Sequence, residues 1–323
     1  MHPMISTVAL GAILNLSAAA QSQPLDYPQK PIKFIVPVTA GGGVDTTARL
    51  IANHLKDKLG QPVIVENKPG AGGSIGLRQL AQSAPDGYTL AFVPNSFTIN
   101  HSLMRNLPFD TFKSFAPVIQ IAKAPVFVAA RADLPASNLN ELVQTANKQG
   151  HTLSYAACDT GSALHLAAEY FKQVTGAAIT HIPFKGCADS VPNVLGGQVD
   201  VLFISYTNIQ GHLATGRLKP LAVAAPTRVR YADSIPTGME QGVKGFEMDV
   251  WYGVLAPAQA SSAVLRKLNA ALNEVLAEPA VQQGLAKSYL TAAGGSAQGF
   301  TETIRQDVER YAEIVKKAGI RLD

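Results

Sequence analysis

The sequence predicts an α/β protein of two lobes, each a mixed sheet flanked by helices, with a ligand cleft between the lobes. Three observations carry that expectation. Short apolar runs alternate with amphipathic stretches along most of the chain, and two glycine clusters, Gly41-Gly42-Gly43 and Gly70-Ala71-Gly72-Gly73, each join a strand to helical sequence. Two further apolar runs, 118–122 and 126–130, flank Lys123-Ala124-Pro125, where the chain is expected to cross from one lobe to the other.

The first strand is the apolar run 32–38, and it closes on Pro37-Val38-Thr39-Ala40-Gly41-Gly42-Gly43. Val44, Ala48, Ile51, Leu55 and Leu59 then recur at spacings of three and four, which predicts a helix over 45–58 ending at Gly60. Glycines let a backbone approach a ligand closely, and a helix start presents unpaired N–H groups and a positive dipole end, so the turn suits an anion. A second strand is expected at 62–66, helical sequence at 77–81, and a third strand at 89–93 that closes on Pro94-Asn95-Ser96. The second lobe alternates in the same way, with strands at 152–156, 178–182, 199–205 and 218–224 and helices at 139–148, 162–174 and 191–195. A long apolar strand at 250–257 and helices at 264–277 and 300–317 return to the first lobe, and Trp251 is expected to pack at the lobe junction. The division is therefore 27–124 and 247–323 for one lobe and 125–246 for the other, with two crossings that make a hinge.

Length and composition agree. A chain of 323 residues, 47% hydrophobic and 15% charged, accommodates two lobes with real cores. Its formal charge of +4 is spread rather than grouped, which excludes a nucleic-acid stripe but leaves a mildly basic field for anions. Residues 5–16 are apolar apart from Ser6, Thr7 and Asn15, and Ala18-Ala19-Ala20 follow, so residues 1–20 read as a secretory leader cleaved before Gln21. The first four residues lack the Lys or Arg that usually opens such a leader, and no Cys follows the small residues to accept a lipid. No clustered metal ligands, nucleophile elbow or paired Cys/His motif is present. Gly70-Ala71-Gly72-Gly73-Ser74-Ile75-Gly76 loosely suggests a dinucleotide loop, but its third glycine is misplaced, so a dinucleotide-dependent enzyme is kept only as the alternative from another class. Neither a cofactor nor a metal is expected.

Taken together, Pro31 to Pro37 with Ala40-Gly41-Gly42-Gly43-Val44-Asp45, Gln61 to Gly73, Pro85-Asp86-Gly87-Tyr88-Thr89-Leu90, Tyr155 to Ser162 with His165-Leu166, Pro183-Phe184-Lys185-Gly186-Cys187, Gly196 to Asp200, and Trp251 to Pro257 resemble the Bug-type substrate-binding proteins of tripartite tricarboxylate transporters. The resemblance implies a periplasmic, Venus-flytrap binding protein that closes on a small carboxylate and meets membrane transporter subunits. A membrane sensor is the alternative partner. In that family a first-lobe loop and a second-lobe loop hold a carboxylate through backbone amides, hydroxyls and ordered water. Carried onto this chain, those positions are Thr39, Ala40, Gly41, Gly42 and Asp45, then Thr160, Gly161 and Ser162; Ser96, at another strand end expected to face the cleft, is ranked lower.

The chain departs from the family's commoner pattern at Thr39, Cys158-Asp159 and Ala188-Asp189-Ser190. If Asp159 and Asp189 face the cleft, their charge favours a ligand that also bears a positive group. Asp45 suits a helix cap before it suits a ligand, Thr160 and Ser162 suit both roles, and His165 reads as a structural histidine. His181 and Lys185 are candidates for positive charge near the same loops, but Lys185, next to a glycine turn, reads as solvated first. Cys158 and Cys187, at equivalent strand ends of an exported chain, favour a disulfide over buried or free thiols.

Overall fold

The chain builds two sheets in a computed structural model that describes residues 26–148, 150 and 152–321. The expected leader, residues 1–20, lies outside the described residues. β1 (Ile32–Val36), α1 (Gly43–Leu59), β2 (Val63–Asn67), α2 (Ser74–Ala81), β3 (Thr89–Pro94), α3 (Ser96–Leu103) and β4 (Phe115–Pro125) come first. β5 (Phe127–Arg131), α4 (Leu139–Ala146), β6 (Leu153–Ala156), α5 (Ala163–Thr175), β7 (Ile179–Ile182), α6 (Cys187–Leu195), β8 (Val201–Ile204), α7 (Gln210–Ala214) and β9 (Leu218–Val223) follow. β10 (Asp249–Pro257), α8 (Ser262–Ala277), α9 (Pro279–Lys287), β11 (Thr291–Ala292) and α10 (Ala297–Ala318) complete the chain.

One sheet has the order β11-β4-β10-β3-β1-β2 and the other β7-β6-β8-β5-β9. Both are mixed. β1 runs parallel to β2 and β3 while β10 is antiparallel to β3 and β4; β6 runs parallel to β7 and β8 while β5 is antiparallel to β8 and β9. The expected fold class is therefore the observed one. Helices cover the sheets because their apolar stripes have nowhere else to go. On α1 the stripe is Ala48, Ile51, Ala52 and Leu55, packed in one cluster with Leu268, Leu272 and Val275 of α8. Each of the Ile, Leu and Val side chains among these contributes about 1.5–3 kcal/mol by leaving water. Gly60, left-handed at φ 68°, ends α1 by donating its amide to the Lys56 carbonyl.

The structure adds helices the sequence pattern did not show. α3 buries Phe97, Thr98, Ile99, Asn100 and Leu103, so it has no broad polar face from which a period of 3.6 could be read. α6 starts at Cys187, four residues before the expected start at 191, and carries Pro192 within it.

The chain passes between the sheets at Val126 and again at Met248. These two segments are tied to each other: Val126 N–H donates to the Met248 carbonyl (2.9 Å), Met248 N–H to Ala224 (2.9 Å), and Ala224 N–H to Val126 (2.8 Å). All three residues are buried. α10 bridges the same junction from outside. Its Phe300 and Ile304 pack with Trp251, whereas Tyr311, Ile314 and Val315 belong to the core of the second sheet. Trp251 is buried against this helix, with its indole N–H donating to Asp307 Oδ2 at 2.6 Å and its ring edge-on to Phe300.

Candidate functional site

Strand directions place the site. In the first sheet Pro94, the end of β3, lies opposite Tyr252, and Asp249 lies opposite Pro125, so the crossings sit at the carboxyl ends of β1, β2 and β3. In the second sheet Phe127 lies opposite both Ile204 and Val223, so the same crossings sit at the carboxyl ends of β6, β7 and β8. The carboxyl edges of both sheets therefore meet at the hinge, and the loops that leave them border the intervening cleft. α1, α2, α3, α5 and α6 each begin directly after one of these parallel strands, which directs five positive dipole ends at the cleft.

The first loop is built for exposure. Thr39, Ala40, Gly41, Gly42 and Gly43 are all exposed, and no side chain caps α1. Gly41 adopts φ +86°, a conformation that an L side chain rarely takes, while Gly42 is extended at φ −78°. Asp45 corrects its assignment as a ligand contact. The residue is only 2% exposed and its carboxylate is already engaged, accepting from Arg49 Nε (3.1 Å), the Gly41 amide (2.9 Å) and Asn67 Nδ2 (2.9 Å). Hydrogen bonding from Arg49, with help from Gly41 and Asn67 and against the cost of burial, holds its pKa down to about 2. Asn67 also donates to the Val38 carbonyl (3.1 Å), so the loop is tied at both ends. Asp45 is its anchor.

The second glycine loop packs beside the first. A Cβ on Gly73, at φ +93°, would stand 3.3 Å from the Pro37 carbonyl oxygen, and Asn100 of α3 donates to the Gly72 carbonyl (2.7 Å). Ser96 is the first residue of α3, half-buried at the end of β3. Tyr252 was given no role from the sequence. Its hydroxyl stands 3.0 Å from where a Gly43 Cβ would be, and it has no hydrogen-bond partner among the described residues. Burial pushes its pKa up to about 12, so it stays a neutral donor beside the start of α1. Only β10's register against β3 brings it there, and no sequence spacing reports that.

On the second lobe, Thr160 and Ser162 are half-buried and Gly161 is buried at φ +79°. Ser162 is the N-cap of α5: its Oγ accepts from the His165 amide (3.3 Å), and its own amide donates to the Asp159 carbonyl (3.0 Å). The expected disulfide between Cys158 and Cys187 is present and ties the loop after β6 to the start of α6. The Gly186 amide reinforces that tie by donating to the Cys158 carbonyl (2.7 Å). Asp159 and Lys185 are exposed on these loops and Asp189 in the first turn of α6, and partial burial raises the Asp159 carboxyl above its ordinary value. His165 is 3% exposed and structural, as expected. Among the described residues no group of three or more His, Cys, Asp or Glu is arranged to hold a metal ion.

A model of the tripartite tricarboxylate transporter family receptor matches residues 47–320. The chain belongs to that receptor family. Solved structures similar to this receptor include the periplasmic binding protein BugD, 34% identical with a TM-score of 0.74 over 91% of this chain and 99% of that one. A protein of R. palustris solved with adipate is 30% identical with a TM-score of 0.78, over 92% and 99% of the two chains. MatC of Rhodopseudomonas palustris, solved with bound malate, is 27% identical with a TM-score of 0.74, over 90% and 100%. The receptor is thus a solute-binding protein of a periplasmic binding-protein family and not an enzyme, which removes the dinucleotide alternative.

Proposed function

We propose that this receptor is exported with residues 1–20 as its leader, captures a small carboxylate between its two lobes, and delivers it to the membrane subunits of a tripartite transporter. The observation that carries the reading is the meeting of both carboxyl edges at the hinge, with five helix N-termini around the cleft. A carboxylate there is met by exposed backbone at Thr39, Ala40, Gly41 and Gly42 from the first lobe and by Thr160, Gly161 and Ser162 from the second. Ser96 and Tyr252 supply hydroxyls. The lobes are 27–124 with 247–323, and 125–246, with α10 reaching across both. That neighbours of the same fold were solved with adipate and malate supports a dicarboxylate as the ligand class.

A thermal-shift screen tests this against amino acids, di- and tricarboxylates, aromatic acids and NAD(P). Dicarboxylates of malate to adipate length are expected to stabilise the protein, by about 2.7 kcal/mol at a hundred times the dissociation constant. Silence toward every carboxylate would sink the reading. Stabilisation by amino acids alone would move the ligand class toward one that pairs an ammonium with Asp159 or Asp189.

A further inference from the structure

We propose that His165 is a positioning residue for the second-lobe ligand loop, and that its protonation releases the loop so that ligand affinity falls in acid. The inference rests on the cleft reading above and adds to it the group that holds half of the site in shape.

The geometry is a closed pair of hydrogen bonds. Gly161 N–H donates to His165 Nδ1 at 3.0 Å in a buried position, and His165 N–H donates back to Ser162 Oγ at 3.3 Å. A backbone amide can only donate, so Nδ1 must offer its lone pair and the neutral ring carries its proton on Nε2. Gly161 and Ser162 are two of the three second-lobe positions proposed to meet the carboxylate. Their placement is thus set by an imidazole that must be neutral. Protonation would set one N–H against another, breaking the bond to Gly161 and leaving its buried amide without a partner.

The surroundings oppose a charge on this ring. His165 lies 3% exposed, stacked on His181 of β7 with centroids 4.0 Å apart and planes 21° apart. Tyr155 of β6 stacks on His181 at 5.0 Å and on His165 at 6.2 Å. From α5 itself, Glu169 would favour an imidazolium, but its carboxylate is shared between Tyr155 Oη (2.5 Å) and Lys172 Nζ (2.9 Å), and Lys172 opposes. Burial first, then the neighbouring His181, lower the His165 pKa to about 4, and burial lowers His181 as well. The loop is therefore held at neutral pH and is lost as the pH falls toward that value.

Two variants and one resonance test this. In His165→Asn the amide oxygen occupies the place of Nδ1 and accepts without titrating; in His165→Leu the acceptor is gone. With malate and adipate as probes, His165→Leu is expected to bind about tenfold more weakly at pH 7, the loss of one buried acceptor. His165→Asn is expected to bind near the wild-type level there. The ratio of wild-type to His165→Asn affinity should then fall on going from pH 7 to 4.5, because titration of the ligand and of Asp159 is common to both proteins. Wild-type affinity in a His165→Leu protein with an unchanged melting temperature would overturn the proposal. Independently of any ligand, the Gly161 amide of glycine-labelled wild type should resonate downfield and move upfield as the His165 ring titrates. An amide that does not respond overturns the positioning role even if the probes bind; probes that fail to bind wild type, with a responding amide, defeat the cleft reading and leave the positioning geometry established.

Discussion

Gly41 and Gly42 stand side by side in the first loop under different constraints. A side chain at Gly41 meets the left-handed φ of +86°, so any substitution there strains the backbone before it touches a ligand. Gly42 is extended, and an added Cβ would meet nothing within 4 Å, so Gly42→Leu is expected to leave stability within about 0.5 kcal/mol of wild type. The same side chain would project from the start of α1 over the amides proposed to meet the carboxylate, and malate affinity should fall about a hundredfold or more. Calorimetric titration beside a melting curve checks both halves; unchanged affinity would remove the loop from the site. The glycines themselves were legible in the sequence because their chemistry is local. The role of Asp45 was legible only as far as its cap position, since its partners Asn67 and Arg49 reach it through the register of β2 and one turn of helix. Tyr252 was not legible at all, because a side chain on β10 meets a loop more than two hundred residues earlier only after the sheet has formed.

At the scale of elements, the Cys158–Cys187 bridge joins the loops after two neighbouring parallel strands, β6 and β7. With its ends 29 positions apart in sequence, chain entropy puts its contribution at about 3–4 kcal/mol. The paired substitution Cys158→Ala with Cys187→Ala should lower the free energy of urea unfolding by about that amount and loosen the loop that carries Thr160. An unaltered midpoint with an unaltered slope would show that the hydrogen bond from Gly186 to Cys158 and the packing of α6 suffice without it. Strands whose apolar runs are bounded by Gly, Pro or Asn were placed from the sequence within a residue or two. α3 was missed because burial on most of its surface erases the amphipathic period, and α6 was started late because its first turn, Cys187-Ala188-Asp189-Ser190, has little apolar pattern.

For the whole molecule, the hydrogen-bonded triangle of Val126, Met248 and Ala224 ties the two crossing segments together, so lobe rotation is expected to pivot about it. α10 sets a second condition on that motion, because its first half packs with Trp251 and its last turns lie in the core of the second sheet. Solution scattering of wild type should show a smaller radius of gyration at saturating malate or adipate than without ligand, and Gly42→Leu should show no change at the same concentrations. A radius that does not respond to a bound ligand would mean that capture occurs without lobe closure.

The sequence by itself determined what depends on near neighbours along the chain: the alternation of strands and helices, the glycine turns, the strand-end positions of the two cysteines, and the family that these motifs jointly resemble. Hydrophobic period and turn chemistry act within a few residues, so they can be read without a structure. Tertiary structure alone decided which carboxyl edges meet, that Asp45 is spent on the loop, that Tyr252 reaches Gly43, and that the Gly161 amide rests on a neutral His165. Those outcomes follow from strand order, register and burial, which bring together groups far apart in the chain and shift their chemistry by excluding water.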